Sequence, residues 1–427
     1  MKGHYDPAFQ VNEGLAHELL GLTGEDSAAP VPIAPGAADP EPPAYAGEPE
    51  ALDAIVSHIE VNNRHGVGVL LERLFGRYPN IFSLRSQSHF GGRQEFGARD
   101  CQIAHEDTSP AAVRRKVEAE LPGRPVRRIL CVPYYPDDVR NALALHEVTG
   151  APLATYLMDD QNVFASGIPD ALMAELLERS RLRLAISTEL AACYAIKYGV
   201  KLWLMPPVAP ARLLHTDPRP AREAIENRKA GAILGNIWGQ RWLDLLRGTV
   251  RGSGVTLRWY STNYLRYLQG SPEELARDGI EIPPGPPLPD DSLVAALRRT
   301  AFVVVPTGDL DARDDRRFIA RLSLPSRIPF ILATTHTPFL VIGDEMTGAA
   351  RFIKETGVGL VCAYDREAFL RAAAEITRPD VNLALRRRAL ALAGRFNDAG
   401  AAEWIWQSLE RGEPFDLRYE DLMRKPR

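Results

Sequence analysis

The chain lacks most of the features that would place it outside the ordinary globular classes. It has only four cysteines in 427 residues. Cys101, Cys131, Cys193 and Cys362 show neither the close pairs of a zinc site nor the density of a disulfide scaffold. Three of them lie in or beside apolar segments, which reads as buried thiols in a reducing compartment. No uninterrupted apolar run approaches the ~18 residues of a membrane span, and no cationic start precedes an apolar core. A cytoplasmic protein is expected. Net charge is only −4, so no global electrostatic pull toward nucleic acid or a membrane is expected. There is no internal repeat.

The length suffices for two domains, each burying its own core. Residues 1–50 are rich in Ala, Pro, Gly and acid (SAAPVPIAPGAADPEPPAYAGEPE). Such a stretch buries too little apolar surface to offset chain entropy and reads as a disordered extension, with a short amphipathic helix over Asn12–Leu22. From Ile55 onward, short apolar runs alternate with helical patterns, the signature of parallel sheets flanked by helices. Ile55–Val61 reads as the first strand, followed by Asn62-Asn63-Arg64-His65-Gly66-Val67-Gly68 and a helix. Cys101–Ala104 reads as a later strand. Pro206, Pro207 and Pro210 fit a linker, so 51–210 is read as one domain and 211–385 as a second. Residues 386–427 read as terminal helices, with one helix over Arg386–Leu409.

The most informative stretch is Leu322–Gly343, LSLPSRIPFILATTHTPFLVIG. Ser323 and Ser326 bracket Pro325 just ahead of an apolar run, which predicts a helix start. That start offers free N–H groups, two hydroxyls and the Arg327 guanidinium to an anion. The run AFVVVP upstream and PFLVI downstream read as buried strands. A strand, a loop, an anion-ready helix and a strand make a unit suited to a nucleotide.

This segment resembles the donor-site signature of bacterial GT-B glycosyltransferases of the family 4 (group 1) type, where an "slPsK" turn leads a helix and a "Gly-x-Pro" turn follows. Here the Lys is Arg327 and Thr335-His336-Thr337-Pro338 stands at the second turn. The family's glutamate is absent; Ile328, Pro329 and Phe330 occupy its region. LRLAISTELAACYAIKYG followed by LWLMPPVAP is similar to the passage that precedes the family's interdomain link. The resemblance covers roughly residues 55–410. It implies an α/β GT-B architecture, two facing Rossmann-like domains with a cleft between them, in which the terminal helix returns to brace the first domain. It also implies transfer of a sugar from a nucleotide-diphosphate donor to an acceptor hydroxyl of a glycan, lipid-linked glycan or natural product, without a metal or other cofactor. A GT-B nucleotide-sugar epimerase or hydrolase, or a non-catalytic nucleotide-sugar-binding protein, would share that architecture.

The donor side is expected to use Asn236 and Arg241, which keep the family's arginine–lysine spacing. Two guanidinium groups, of Arg241 and Arg327, would grip diphosphate oxygens. Ser323 and Ser326 join them, as do Thr307 and Asp309 after the AFVVVP strand and Gly66 and Gly68 in the first glycine loop. Asp159 and Asp160 end a strand (YLMDD) and either serve an acceptor hydroxyl as base or cap the following turn. His65 is the other candidate base; a loop histidine of this kind is more often structural. The basic run Arg114-Arg115-Lys116 with Arg124, Arg127 and Arg128 could meet acidic lipid heads, a weak membrane-surface association, or an anionic acceptor. Because Glu118 and Glu120 interrupt it, a solvated helix face fits it better.

Overall fold

A computed structural model describes residues 51–92, 96–121, 123–261 and 268–421. The expected extension over 1–50, with its Asn12–Leu22 helix, lies outside the described residues. The chain divides into two compact units. One runs to Met205 and takes in the segment that begins at Gly400; the other is Pro206–Ala399.

The first unit is built on seven strands: β1 (Leu52–Ser57), β2 (Ile81–Arg85), β3 (Arg99–Gln102), β4 (Val126–Cys131), β5 (Leu153–Leu157), β6 (Leu182–Ala185) and β7 (Trp203–Leu204). They pair in the order β3-β2-β1-β4-β5-β6-β7, every pair parallel. β1, β2 and β5 are buried throughout, as expected of parallel strands covered on both faces by helices. Register places Ile55 opposite Leu130 and Val56 opposite Leu84. The strand order reverses between β1 and β4, so the crevice where an open α/β sheet takes its ligand lies at their carboxyl ends.

The second unit repeats the plan with six parallel strands: β8 (Ala230–Leu234), β9 (Thr256–Tyr260), β10 (Ile280–Glu281), β11 (Phe302–Pro306), β12 (Phe339–Ile342) and β13 (Gly359–Cys362). Their order is β10-β9-β8-β11-β12-β13, so the reversal falls between β8 and β11. Val304 lies between Ile233 and Leu340 across three strands. These residues share one core with Trp242, Trp259 and Phe302.

The expected helix over Arg386–Leu409 is two helices, Pro379–Ala393 and Ala401–Arg411. The break has a cause. Asn397 bridges to Ala209 of the linker, with Asp398 N–H donating to the Ala209 carbonyl at 2.9 Å. Gly400 then turns at φ 69°, a left-handed conformation glycine adopts without a Cβ penalty. The first helix stays with the second unit and the other belongs to the first. There Trp406 packs on Phe75 of helix Gly66–Phe75, ring centroids 5.2 Å apart, and Arg128 lies over the indole at 4.6 Å. Two strands also end earlier than the apolar pattern suggests. β1 stops at Ser57, whose hydroxyl donates to the Ile59 carbonyl at 3.0 Å, and β3 covers Arg99–Gln102 instead of Cys101–Ala104.

Candidate functional site

At the second unit's reversal, β8 runs into a fastened loop. Gly235 takes φ 77°; its N–H donates to the Tyr260 carbonyl at 2.7 Å, and its own carbonyl accepts from Trp259 Nε1 at 2.7 Å. Arg327 opens helix Arg327–Thr334 and reaches back to this loop. Its Nη1 donates to the Leu234 carbonyl at 2.8 Å and its Nη2 to the Asn236 carbonyl at 2.6 Å. Burial lowers the guanidinium to about 10. Among the described residues no carboxylate pairs with it. The Asn236 side chain accepts from Ser261 Oγ at 2.8 Å.

Arg241, in the first turn of helix Gln240–Val250, is engaged differently. Its Nε donates to Asp309 Oδ1 at 3.2 Å and to Oδ2 at 3.1 Å, and its Nη2 also reaches Oδ2. Asp311 lies 3.6 Å away. The hydrogen bond with Asp309 holds Arg241 above its ordinary pKa. Two donor-side candidates are thus brought together, and each meets the other's charge. Thr307 is buried at the end of β11, with its N–H on the Ile342 carbonyl at 2.9 Å and its carbonyl accepting from Tyr364 OH at 2.6 Å. Ser323 ends helix Arg317–Leu322, and Ser326 stands at the N-cap of the Arg327 helix without a side-chain capping bond.

At the first unit's reversal, aromatic and imidazole rings gather at the ends of β1 and β4. His58, just past β1, stacks on Tyr134, just past β4, with centroids 4.1 Å apart. His65 lies edge-on to His58 at 5.6 Å. Burial, helped by His65 and His89, lowers His58 to about 3, so its imidazole is neutral at pH 7. Tyr134 OH donates to Asp159 Oδ2. Asp138, capping helix Pro136–Thr149, accepts from the Tyr134 and Tyr135 N–H groups at 2.9 and 2.8 Å. Burial carries its carboxyl up to about 6.

The Asp159–Asp160 pair splits. Asp160 is 1% exposed and accepts from the N–H groups of Asn162, Val163, Phe164 and Ala165 and from Tyr194 OH. It organises the turn. Asp159 is half-buried beside Tyr134. His65 is the N-cap of helix Gly66–Phe75: Nδ1 accepts from Gly68 N–H at 3.2 Å, and Nε2 faces the Glu60 carbonyl at 2.8 Å. A carbonyl can only accept, so Nε2 carries the proton and the ring is neutral. Both nitrogens are engaged by main chain. Gly68 is needed for that loop, since a Cβ there would lie 2.3 Å from the Asn62 carbonyl oxygen. Gly66, at the helix start, is exposed.

The basic run is engaged locally. Arg127 and Arg128 both fork onto buried Asp53, Arg114 pairs with Glu118 and Glu147, and Lys116 donates to the Ala104 carbonyl. All four cysteines are free thiols. Among the described residues no group of three His, Cys, Asp or Glu side chains could hold a metal ion. No described helix is long and apolar enough to cross a membrane. Sequence reasoning did not single out His58, Glu60 or Tyr134. The signal for Tyr134 was present in RILCVPYYPDD, where the aromatic pair directly follows a buried strand, the same position that drew attention to Asp159.

No family model matches the sequence, and no curated protein matches it. Several solved structures do match the fold. Anabaena HepE, solved in complex with UDP, aligns over 84% of this chain and 100% of its own, with TM-score 0.55 and 12% identity. Sucrose-phosphate synthase from Thermosynechococcus elongatus aligns over 84% of this chain and 98% of its own, at 0.55 and 14%. An α,α-trehalose-phosphate synthase (UDP-forming) from Burkholderia vietnamiensis aligns over 84% and 100%, at 0.53 and 14%. At such identities the likeness concerns architecture: two parallel α/β sheets with interleaved helices, the GT-B fold.

Proposed function

We propose that the chain is a glycosyltransferase that binds a nucleoside-diphosphate sugar at the second unit's sheet edge and passes the sugar to an acceptor hydroxyl served by the first unit's sheet edge. One observation carries the donor assignment: Arg327 is a half-buried guanidinium anchored on two carbonyls, with no carboxylate against it among the described residues. A desolvated cation without a counter-ion is costly, and an anion is what offsets it. It stands at a helix start beside a strand-order reversal, where N–H groups also favour phosphate. The diphosphate charge is met by protein groups, so the reading uses no metal ion. On the acceptor side, Asp159 is the proton-accepting candidate, held by Tyr134 OH, while His58 and Tyr134 shape the crevice.

HepE is solved with UDP and the Burkholderia enzyme is named as UDP-forming, so UDP is the first nucleotide to test. Calorimetric titration of UDP against wild type, Arg327→Ala and Arg327→Lys is the measurement, with thermal melts as the folding control. A charge-assisted hydrogen bond contributes about 1.5–3 kcal/mol, so Arg327→Ala should weaken UDP about ten- to a hundredfold. Lysine should recover part, since charge returns without the fork. Unchanged affinity in a folded Arg327→Ala protein would remove the donor site from this edge. UDP release from UDP-glucose, UDP-galactose or UDP-N-acetylglucosamine then reports turnover. Free sugar as the product would indicate a hydrolase, an altered sugar still on UDP an epimerase, and binding without any conversion a non-catalytic protein.

A further inference from the structure

The loop between Asn236 and Arg241 carries one residue that the fold does not account for. Ile237 is 3% exposed and Trp242 is 3% exposed, yet Trp238 between them is 44% exposed. The loop around it is rigidly held. Arg327 binds the carbonyls on both sides of Gly235, Ser261 Oγ donates to Asn236 Oδ1, and Gln240 Oε1 accepts from Gln269 N–H at 2.6 Å. Gly239 lets the loop sit close: a Cβ there would lie 3.3 Å from Arg316 Cγ. The chain therefore spends many contacts on fixing a segment whose largest apolar side chain faces outward.

We infer that Trp238 is a platform for the glycosyl ring of the donor, a reading that rests on the nucleotide-sugar function proposed above. Trp238 directly precedes Gly239, the N-cap of helix Gln240–Val250, and follows Asn236, whose carbonyl Arg327 holds. It thus adjoins the groups assigned to the diphosphate. An aromatic so placed is nearest the groups joined to the diphosphate through an ester oxygen, the glycosyl ring at one end and the ribose at the other. The nucleobase lies a whole ribose further along the chain. A pyranose presents a face of C–H bonds, and the negative face of an indole attracts the positive edges of such groups, as it does aromatic edges and cations. A ring on a fixed loop makes this contact with little ordering cost. Trp238 would then favour nucleotide sugar over bare nucleotide and discriminate among sugars by which face is free of axial hydroxyls.

The test is parallel calorimetric titration of UDP, UDP-glucose, UDP-galactose and UDP-N-acetylglucosamine against wild type, Trp238→Ala and Trp238→Phe. The expected result is that Trp238→Ala loses about three- to tenfold in affinity for the sugar that wild type binds most tightly, while UDP stays within twofold. Phenylalanine should recover most of the loss. Equal weakening of UDP and nucleotide sugar would put the indole on the nucleotide and overturn the inference. So would unchanged affinity for both, or a wild type that binds UDP but gains nothing from any of the sugars. In each of these cases the nucleotide site stands. A wild type that binds no UDP and no nucleotide sugar overturns both the platform and the function on which it rests.

Discussion

Replacing Glu60 by glutamine tests how the first unit's sheet edge is held. Glu60 is 2% exposed. Its Oε1 accepts from Ser88 Oγ at 2.5 Å, Phe90 N–H at 3.3 Å and Gly92 N–H at 2.7 Å, and its Oε2 accepts from His89 N–H at 2.9 Å. Burial alone would raise the carboxyl, but the Ser88, His89 and Gly92 donors outweigh it and bring it from 4.5 to about 2. Because the folded value lies below the unfolded one, the stabilisation is complete above the unfolded pKa and is lost as pH falls through about 2. A tenfold change in proton affinity is worth about 1.4 kcal/mol, so the carboxylate contributes roughly 3 kcal/mol at neutral pH. Glutamine keeps one acceptor oxygen but turns an NH₂ toward N–H donors, and Arg85 loses the more distant of two charge partners, Glu60 at 3.8 Å, while keeping Asp100 at 3.1 Å. The first unit should therefore lose about 2–3 kcal/mol at pH 7 in urea unfolding. Hydrogen exchange at the His89 and Gly92 amides should accelerate by about a hundredfold, as 2–3 kcal/mol implies. The difference from wild type should shrink at pH 3. A variant within about 0.5 kcal/mol of wild type at pH 7, or a difference that does not change with pH, would refute the reasoning.

Asp138 should behave in the opposite sense. Burial lifts its carboxyl from 3.8 to about 6, so the cost of ionising it is absent below the unfolded value and complete above about 6. Asp138→Asn should gain on wild type in urea titrations as pH rises from about 4 to about 6 and hold that gain to pH 8, and a pH-independent difference would count against the assignment. Asp309→Asn should free Arg241 from its fork and tighten UDP by about three- to tenfold in calorimetry; unchanged or weaker binding would show that the pair itself is the working unit. Gly68→Ala puts a Cβ 2.3 Å from the Asn62 carbonyl oxygen and should cost about 1–3 kcal/mol in thermal melts. The control Gly248→Ala, with nothing within 4 Å, should be neutral or slightly stabilising.

What could be read in advance divides along the range of the interactions. AFVVVP and PFLVI are legible as strands because a parallel strand covered on both faces is an unbroken apolar run, and β11 and β12 are buried at every position. The helix start at Arg327 is legible because the Ser-Leu-Pro-Ser break before an apolar run is local, although Ser326 makes no side-chain capping bond and Ser323 ends the preceding helix. Parallel sheets flanked by helices follow from such local units repeated in alternation, and the GT-B architecture is what the resemblance to the family 4 donor signature adds. Partnerships are another matter. Arg241 and Arg327 look alike in the sequence, two cations at helix starts after buried strands. Their states differ because Asp309, 68 residues beyond Arg241, closes on one of them, while the other is held by carbonyls 91 and 93 residues behind it, with no carboxylate against it among the described residues. Residue type and strand-end position cannot separate those outcomes, because both depend on which loops the sheet order brings side by side. His65 and the aspartate pair carry the same lesson at shorter range: each has the chemistry of a base, and main-chain N–H and C=O groups decide whether that chemistry is available. Asp160 meets four loop N–H groups and is spent on the turn. Asp159, one residue earlier in the bend that follows β5, meets a tyrosine hydroxyl instead. Which of two adjacent, identical carboxylates the turn takes up is settled by the loop that folds back after β5, and the strand pattern does not show it.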